Sequence, residues 1–110
     1  MMQWIPSIQL VCSEAAFRDW PLVAAIVKKE SRGDPWAVRY EPGFFDRYIK
    51  DLSRAEVERL APGVKSGLPS LDTERRMMAT SFGLMQIMGV VAREQGFVGR
   101  YLTQLCEPHS

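Results

Sequence analysis

The sequence predicts one mainly α-helical domain, built from short helices around a central buried helix, with little or no sheet. Three observations carry that expectation. Glycines and prolines recur along the chain and cut it into pieces of helical length, with no repeat and no low-complexity segment between them. Two of those pieces begin on strong helix-entry signals, Asp19-Trp20-Pro21 and Ser53-Arg54-Ala55-Glu56. Hydrophobic residues make up 46% of the chain and charged residues 25%, a balance that suits a packed core rather than a disordered segment. At 110 residues there is room for a single such core.

The first strong helix is expected to start near Asp19. Asp19 is a good N-cap, and Pro21 suits a first turn, where its missing N–H costs nothing. From Leu22 to Val27 the residues are apolar on nearly every face, the mark of a central buried helix. Gly33 fits the left-handed position that closes a helix, and Asp34-Pro35 stops it, so Glu30 falls in the last turn. A second helix is predicted over about Phe45 to Lys50. The third enters at the Ser53-x-x-Glu56 capping box and ends at Pro62-Gly63. Val64 to Leu71 contains Gly, Pro and Ser and reads as a loop, after which Asp72 or Thr73 can cap a short helix through Met78. From Thr80 to Ile87 an apolar pattern is interrupted by small polar residues and Gly83. A helix from about Gly89 to Gln95 closes at Gly96, and a last one near Arg100 to Leu105 stops before Pro108.

Charge and cysteine usage exclude several function classes. Fourteen basic residues against thirteen acidic ones give a formal +1, with no Lys/Arg-rich run, so nucleic acid is not an expected partner. Lys28-Lys29 and Arg75-Arg76 are pairs of the kind found on solvated helix faces. Cys12 and Cys106 make no disulfide framework, and free thiols are favoured over a bridge between them. No Cys/His spacing suggests zinc, so neither a metal nor a cofactor is expected. Met1 to Leu10 lacks the basic and apolar regions of a signal peptide, and no apolar stretch is long enough to span a membrane. A soluble protein follows, with any export supplied by something else and its location left open.

Glu30 is the position where spacing alone points to chemistry. On a helix it shares a face with Val23, Ile26 and Val27, at separations of seven, four and three. A carboxyl on such a stripe is desolvated, which raises its pKa and makes it a proton donor near neutral pH. Cleavage of a glycosidic bond needs that donor, because the leaving oxygen must be protonated as the bond breaks. The plainer reading is an amphipathic helix end at which Glu30 turns to solvent or pairs with Arg32. Periodicity alone favours the plainer reading.

Two blocks add a resemblance. Glu30-Ser31 followed by Gly33-Asp34-Pro35-Trp36-Ala37-Val38 resembles the Glu-Ser motif of lytic transglycosylases, and Gly83-Leu84-Met85-Gln86-Ile87 resembles that family's Gly-Leu-Met-Gln-Ile segment, with Ser81 where the family has a small hydroxyl residue. The runs Arg39-Tyr40-Glu41-Pro42-Gly43-Phe44 and Thr73-Glu74-Arg75-Arg76 resemble phage-type and prophage-type members, and the likeness spans about Trp20 to Pro108. The resemblance implies a lysozyme-like fold of the α+β superfamily, with a groove for peptidoglycan glycan strands, at the bacterial cell wall or in a phage protein. It implies Glu30 as the general acid and then the base that closes a 1,6-anhydro ring, with no second catalytic carboxylate. It implies that Ser31 orients Glu30 or the substrate's N-acetyl group, and that Ser81, Gly83, Met85, Gln86 and Ile87 line the sugar site.

Each residue also has a plainer role. Met77, Met78, Met85 and Met88 suit core filling. Ser31 suits a helix-end hydroxyl bonding back to a carbonyl, and Gln86 an ordinary turn amide. Glu74 suggests a second carboxylate for a hydrolysing lysozyme, although a helix N-terminal charge or structural partner comes first. Glu41 sits before Pro42, either on the groove wall or simply exposed, and His109 is incidental. The family's domains continue into a helical stretch with an Ala-Tyr-Asn-Gly-type motif. Nothing similar follows Cys106-Glu107-Pro108-His109-Ser110, and Tyr101 stands in a different context. The expectation is a C-terminally truncated domain, weakly active or inactive alone, that self-associates or takes a second chain to complete it. A glycan-binding relative without catalysis is the alternative.

Overall fold

A computed structural model of the chain describes residues 2–107; Pro108, expected to stop the last helix, and His109 lie outside the described residues. A single-turn 3₁₀ segment, Met2–Trp4, leads into α1 (Ile5–Glu14), and α2 (Trp20–Ser31) folds back on it. Strand β1 (Val38–Tyr40) is followed by α3, a helical turn Pro42–Phe44 that continues as a π-helical stretch Phe45–Ile49. Then come α4 (Arg54–Leu60), a 3₁₀ turn Pro62–Ser66 and α5 (Leu71–Met78). Strands β2 (Thr80–Phe82) and β3 (Ile87–Met88) form a hairpin, and α6 (Gly89–Glu94) and a 3₁₀ turn Leu102–Cys106 complete the described chain. The architecture is mainly helical, as expected, with one small sheet. No helix among the described residues is long and apolar enough to cross a membrane.

Local chemistry accounts for the helix starts. The Asp19 side chain accepts from the Leu22 amide at 3.2 Å, and Ser53 accepts from the Glu56 amide at 3.1 Å. The capping box at Ser53 is only half made, because the Glu56 carboxylate bonds Arg59 instead of reaching back. The cap of α5 is Ser70, which accepts from Thr73 at 3.2 Å, so this helix begins before the Asp72 or Thr73 expected. At the end of α2, Arg32 itself turns left-handed (φ 56°) and Gly33 follows it (φ 82°).

The sheet order is β1-β2-β3, antiparallel throughout. Val38, Phe82 and Ile87 stand opposite one another across it, as do Arg39, Ser81 and Met88. Cross-strand partners share a face, so these two sets lie on opposite faces.

The core is divided. Its larger part gathers Ile49, Val57, Met78, Phe82 and Leu102, all at most 2% exposed, from α3 to the last turn. A smaller cluster of Ile8, Cys12 and Val27, with Trp4, Trp20 and Val23, joins α1 to α2. The expected central helix is therefore corrected. Only Val27 and Ser31 of α2 are buried, and Leu22 is 50% exposed, because α1 and the hairpin cover one side of α2 and leave the rest in solvent.

The central helix is α5. It touches α3, α4, α6, β2 and the Leu102–Cys106 turn. Its charged sequence hides this, because its buried polar residue is matched within the fold. Glu74 is 0% exposed and forms a two-pronged pair with Arg93 of α6, at 3.1 Å (Nε–Oε2) and 3.2 Å (Nη2–Oε1). The guanidinium also donates to the carbonyls of Phe97, Gly99 and Arg100, fixing the chain after α6.

Candidate functional site

The two motif blocks meet at one backbone carbonyl. The Ala37 oxygen, just before β1, accepts from the Gly83 amide at 2.9 Å and from Gln86 Nε2 at 2.9 Å. The Cys106 Sγ lies 4.0 Å from the same oxygen. The other amide hydrogen of Gln86 goes to the Gly83 carbonyl at 3.0 Å, and the Gln86 backbone amide bonds that carbonyl at 3.1 Å. This turn needs left-handed residues at both ends, supplied by Gly83 (φ 79°) and Gln86 (φ 52°). A Cβ on Gly83 would stand 3.1 Å from the Leu105 carbonyl oxygen, so the glycine also permits a close approach.

Ser31 closes α2 on the other side of the junction. Its hydroxyl donates to the Val27 carbonyl at 3.1 Å and accepts from the Gly33 amide at 3.2 Å. Trp4 Nε1 donates to the Gly33 carbonyl and ties the N-terminal segment to the same loop.

Between these parts runs a groove of about 450 Å³. Its walls are Ile8, Val11 and Cys12 of α1, Val23 and Val27 of α2, the hairpin from Phe82 to Met85 with Ile87, and the Leu105–Glu107 stretch. Met85 and Ile87 stand at its rim, 39% and 43% exposed. The lining is mostly apolar, with Ser7 and Glu107 among its polar members.

The predicted residues divide around this groove. Gly83, Met85 and Ile87 line it. Gln86 and Ser31 hold its walls in place with their side chains instead of lining it. Ser81 is buried on the other face of the sheet, its hydroxyl 4.0 Å from Met88 Sδ. Glu30 shares a helix face with the lining residues Val23 and Val27, one turn further on, where the lining ends. Its side chain is exposed and holds no hydrogen bond or ion pair among the described residues. The burial expected from its place on the stripe is not found: in the last turn of α2 Ser31 is the buried residue and Glu30 turns to solvent.

Glu74 is not at the groove, and both its carboxylate oxygens are taken by Arg93. Glu41, half-buried, pairs with Arg39 at 3.2 Å. Cys12 and Cys106 are free, buried thiols that both line the groove. Burial pushes the Cys106 thiol upward, with a hydrogen bond from the Gly83 backbone acting against it and Asp34 and Glu107 adding a smaller upward push. Sequence reasoning misses Ala37, Cys106 and Trp4. A backbone carbonyl has no signature in residue identity, whereas the spacing of Ile5, Ile8 and Cys12 is a helical signal that identifies α1.

Among the described residues no group of three or more His, Cys, Asp or Glu side chains is placed to hold a metal ion. In comparison with known proteins, the chain matches no protein-family model, no curated protein sequence and no solved structure.

Proposed function

We propose that this chain is a peptidoglycan lytic transglycosylase of the lysozyme-like superfamily, cleaving the β-1,4 bond between N-acetylmuramic acid and N-acetylglucosamine. The observation that supports it most is the junction at Ala37, where the Gly83–Gln86 turn is bonded directly to the loop that leaves Glu30 and Ser31. The two blocks that carry the resemblance thus border one groove, although 49 residues separate Ala37 from Gln86. Its apolar lining suits the hydrophobic faces of sugar rings and the methyl groups of N-acetyl substituents.

In this reading the Glu30 carboxyl gives its proton to the scissile oxygen as the bond to the anomeric carbon breaks. The C6 hydroxyl oxygen of the same muramic acid then bonds that carbon, and its proton passes to the Glu30 carboxylate. No water is consumed, and the product ends in a 1,6-anhydro ring. Gly83, Met85 and Ile87 contact the sugar, while Ser31 and Gln86 act through the walls they hold.

A second reading, a glycan-binding chain without catalysis, is favoured by the exposure of Glu30 and its lack of a partner among the described residues. A hydrolase using Glu74 loses its second carboxylate to the pair with Arg93. Mass spectrometry of muropeptides after digestion of purified peptidoglycan separates the outcomes: anhydro ends for a transglycosylase, reducing ends for a hydrolase, intact strands for a binder. Association with a second copy or another chain is part of the proposal, supported by Leu10, Val11, Phe17 and Leu22, each at least 45% exposed on or beside α1 and α2. Sedimentation of the chain over a concentration series tests it; a monomer at every concentration removes self-association from the proposal.

A further inference from the structure

The chain's two cysteines stand on the two walls of one groove. Cys12 comes from α1 and Cys106 from the closing 3₁₀ turn. Both line the groove of about 450 Å³ beside the hairpin, and both are free thiols, 6% and 4% exposed. They belong to different parts of the core. Cys12 packs with Ile8 and Val27, and Cys106 with the larger cluster around Phe82 and Leu102. A bridge between them therefore needs the two walls to approach.

The wall that carries Cys12 is built to move as a unit. α1 and α2 pack on each other, and neither packs comparably on any element from β1 onward. Among the described residues no hydrogen bond or ion pair joins residues 4–31 to residues 35–107. The contact is apolar, with Leu84 of the hairpin turn set against the cluster of Ile8, Cys12 and Val27. The covalent link is Arg32-Gly33, two successive left-handed residues (φ 56° and 82°) at the end of α2. Terminal residues of this kind are where packed pieces pivot, and the Trp4 bond to the Gly33 carbonyl ends at the pivot itself. The radius of gyration is 15.1 Å, against about 13 Å for a compact domain of this length, so the α1–α2 arm stands off the body and has room to close.

We infer that Cys12 and Cys106 form a thiol–disulfide switch, in which a low-molecular-weight disulfide oxidises them to a bridge that draws the α1–α2 arm onto the last turn and closes the groove. Cys12 is the entry point. It also lines a second groove, of about 430 Å³, beside the loop that joins α1 to α2, where Cys106 has no part. The Cys12 thiolate attacks one sulfur of the reagent and displaces one thiolate, leaving a mixed disulfide. The Cys106 thiolate then attacks the Cys12 sulfur and displaces the second. The two protein thiol protons end on the two displaced thiolates, so the reagent is reduced to two thiols as the protein pair is oxidised. Burial raises the Cys106 thiol and keeps it from reacting first. The inference stands on the two walls and the pivot, and holds whatever ligand the groove takes.

The test equilibrates the full chain with reduced and oxidised glutathione, in buffer and in urea, and reads the products by mass spectrometry after an acid quench. The expected result is a bridge within one chain, joining tryptic peptides 1–18 and 101–110. Its effective concentration should be about thirtyfold higher in buffer than in urea, near the low end of what a bridge across a long loop contributes. Amide NMR of the oxidised chain should show shifts at Arg32 and Gly33 as well as along the groove walls. Cys106→Ser should stop at a mixed disulfide on Cys12, and Cys12→Ser should take up little glutathione. Equal effective concentrations, glutathione on both cysteines without a bridge, a bridge between two chains, unmoved Arg32 and Gly33, or first reaction at Cys106 would each overturn the inference. The comparison of buffer with urea uses the unaltered protein, so its result does not depend on how a variant folds.

Discussion

Replacing Glu74 by Ala probes the most heavily bonded polar residue pair in the interior. The Arg93 side chain is 1% exposed and that of Glu74 is 0% exposed, so the variant leaves a buried guanidinium without its counter-charge. Two charge-assisted hydrogen bonds, at 3.1 and 3.2 Å, are lost. The bonds from Arg93 to the carbonyls of Phe97, Gly99 and Arg100 remain, but carbonyls only partly compensate a full charge. Removing one member of a buried pair costs about 3–5 kcal/mol. A domain of this size holds only about 5–15 kcal/mol in total. At roughly 4 °C per kcal/mol, the midpoint of thermal unfolding should fall by roughly 12–20 °C. Urea unfolding followed by far-UV circular dichroism gives the free energy, and the companion Arg93→Met and double Glu74→Ala, Arg93→Met variants complete a cycle. The double variant should lose less than the two single losses added, since neither charge is then stranded. A cost below about 1 kcal/mol for Glu74→Ala would refute the claim that this pair organises α5 and α6.

Gln86→Leu removes both side-chain bonds at the junction, at 2.9 and 3.0 Å, and should cost about 1–3 kcal/mol in urea unfolding; an unchanged midpoint would mean that the turn is not held there. The thiol of Cys106 gives a pH signature. Burial raises it in the folded state, so the unfolded chain gives up its proton first, near the ordinary thiol value of about 8.5. Above that pH the folded state holds more protons, and the stabilisation, fully present at lower pH, declines as pH rises toward the folded value. Thermal midpoints should therefore drop more steeply from neutral to alkaline pH in the parent than in Cys106→Ala, and identical slopes would count against burial as the cause.

What could be read from the sequence depended on how local each cause was. The caps at Asp19 and Ser53 act over three residues and stood out from residue type and spacing. The left-handed close of α2 near Gly33 was equally local. The sheet was not legible as strands, because segments as short as Thr80–Phe82 and Ile87–Met88 are too brief for an alternating pattern to declare itself. The helix α5 was not legible as the central one, since Glu74 reads as a helix N-terminal charge or structural partner and only the fold brings Arg93 against it. Glu30 shows the opposite failure. Its helix face followed correctly from a period of 3.6, but how far along that face the cover extends depends on the neighbours, which bury Val27 and leave Glu30 exposed. The meeting of the two motif blocks was invisible as geometry, since the acceptor that joins them is a backbone oxygen.

The central claim is that Glu30 transfers the proton in a non-hydrolytic cleavage of glycan strands. Digesting purified peptidoglycan with the chain, and separately with Glu30→Gln, and then identifying the soluble fragments by mass spectrometry tests it most directly. The account predicts fragments ending in 1,6-anhydro-muramic acid from the parent, and a loss on the order of a hundredfold to ten-thousandfold in their rate of release from the variant. Reducing ends, intact strands, or equal release by Glu30→Gln would contradict it.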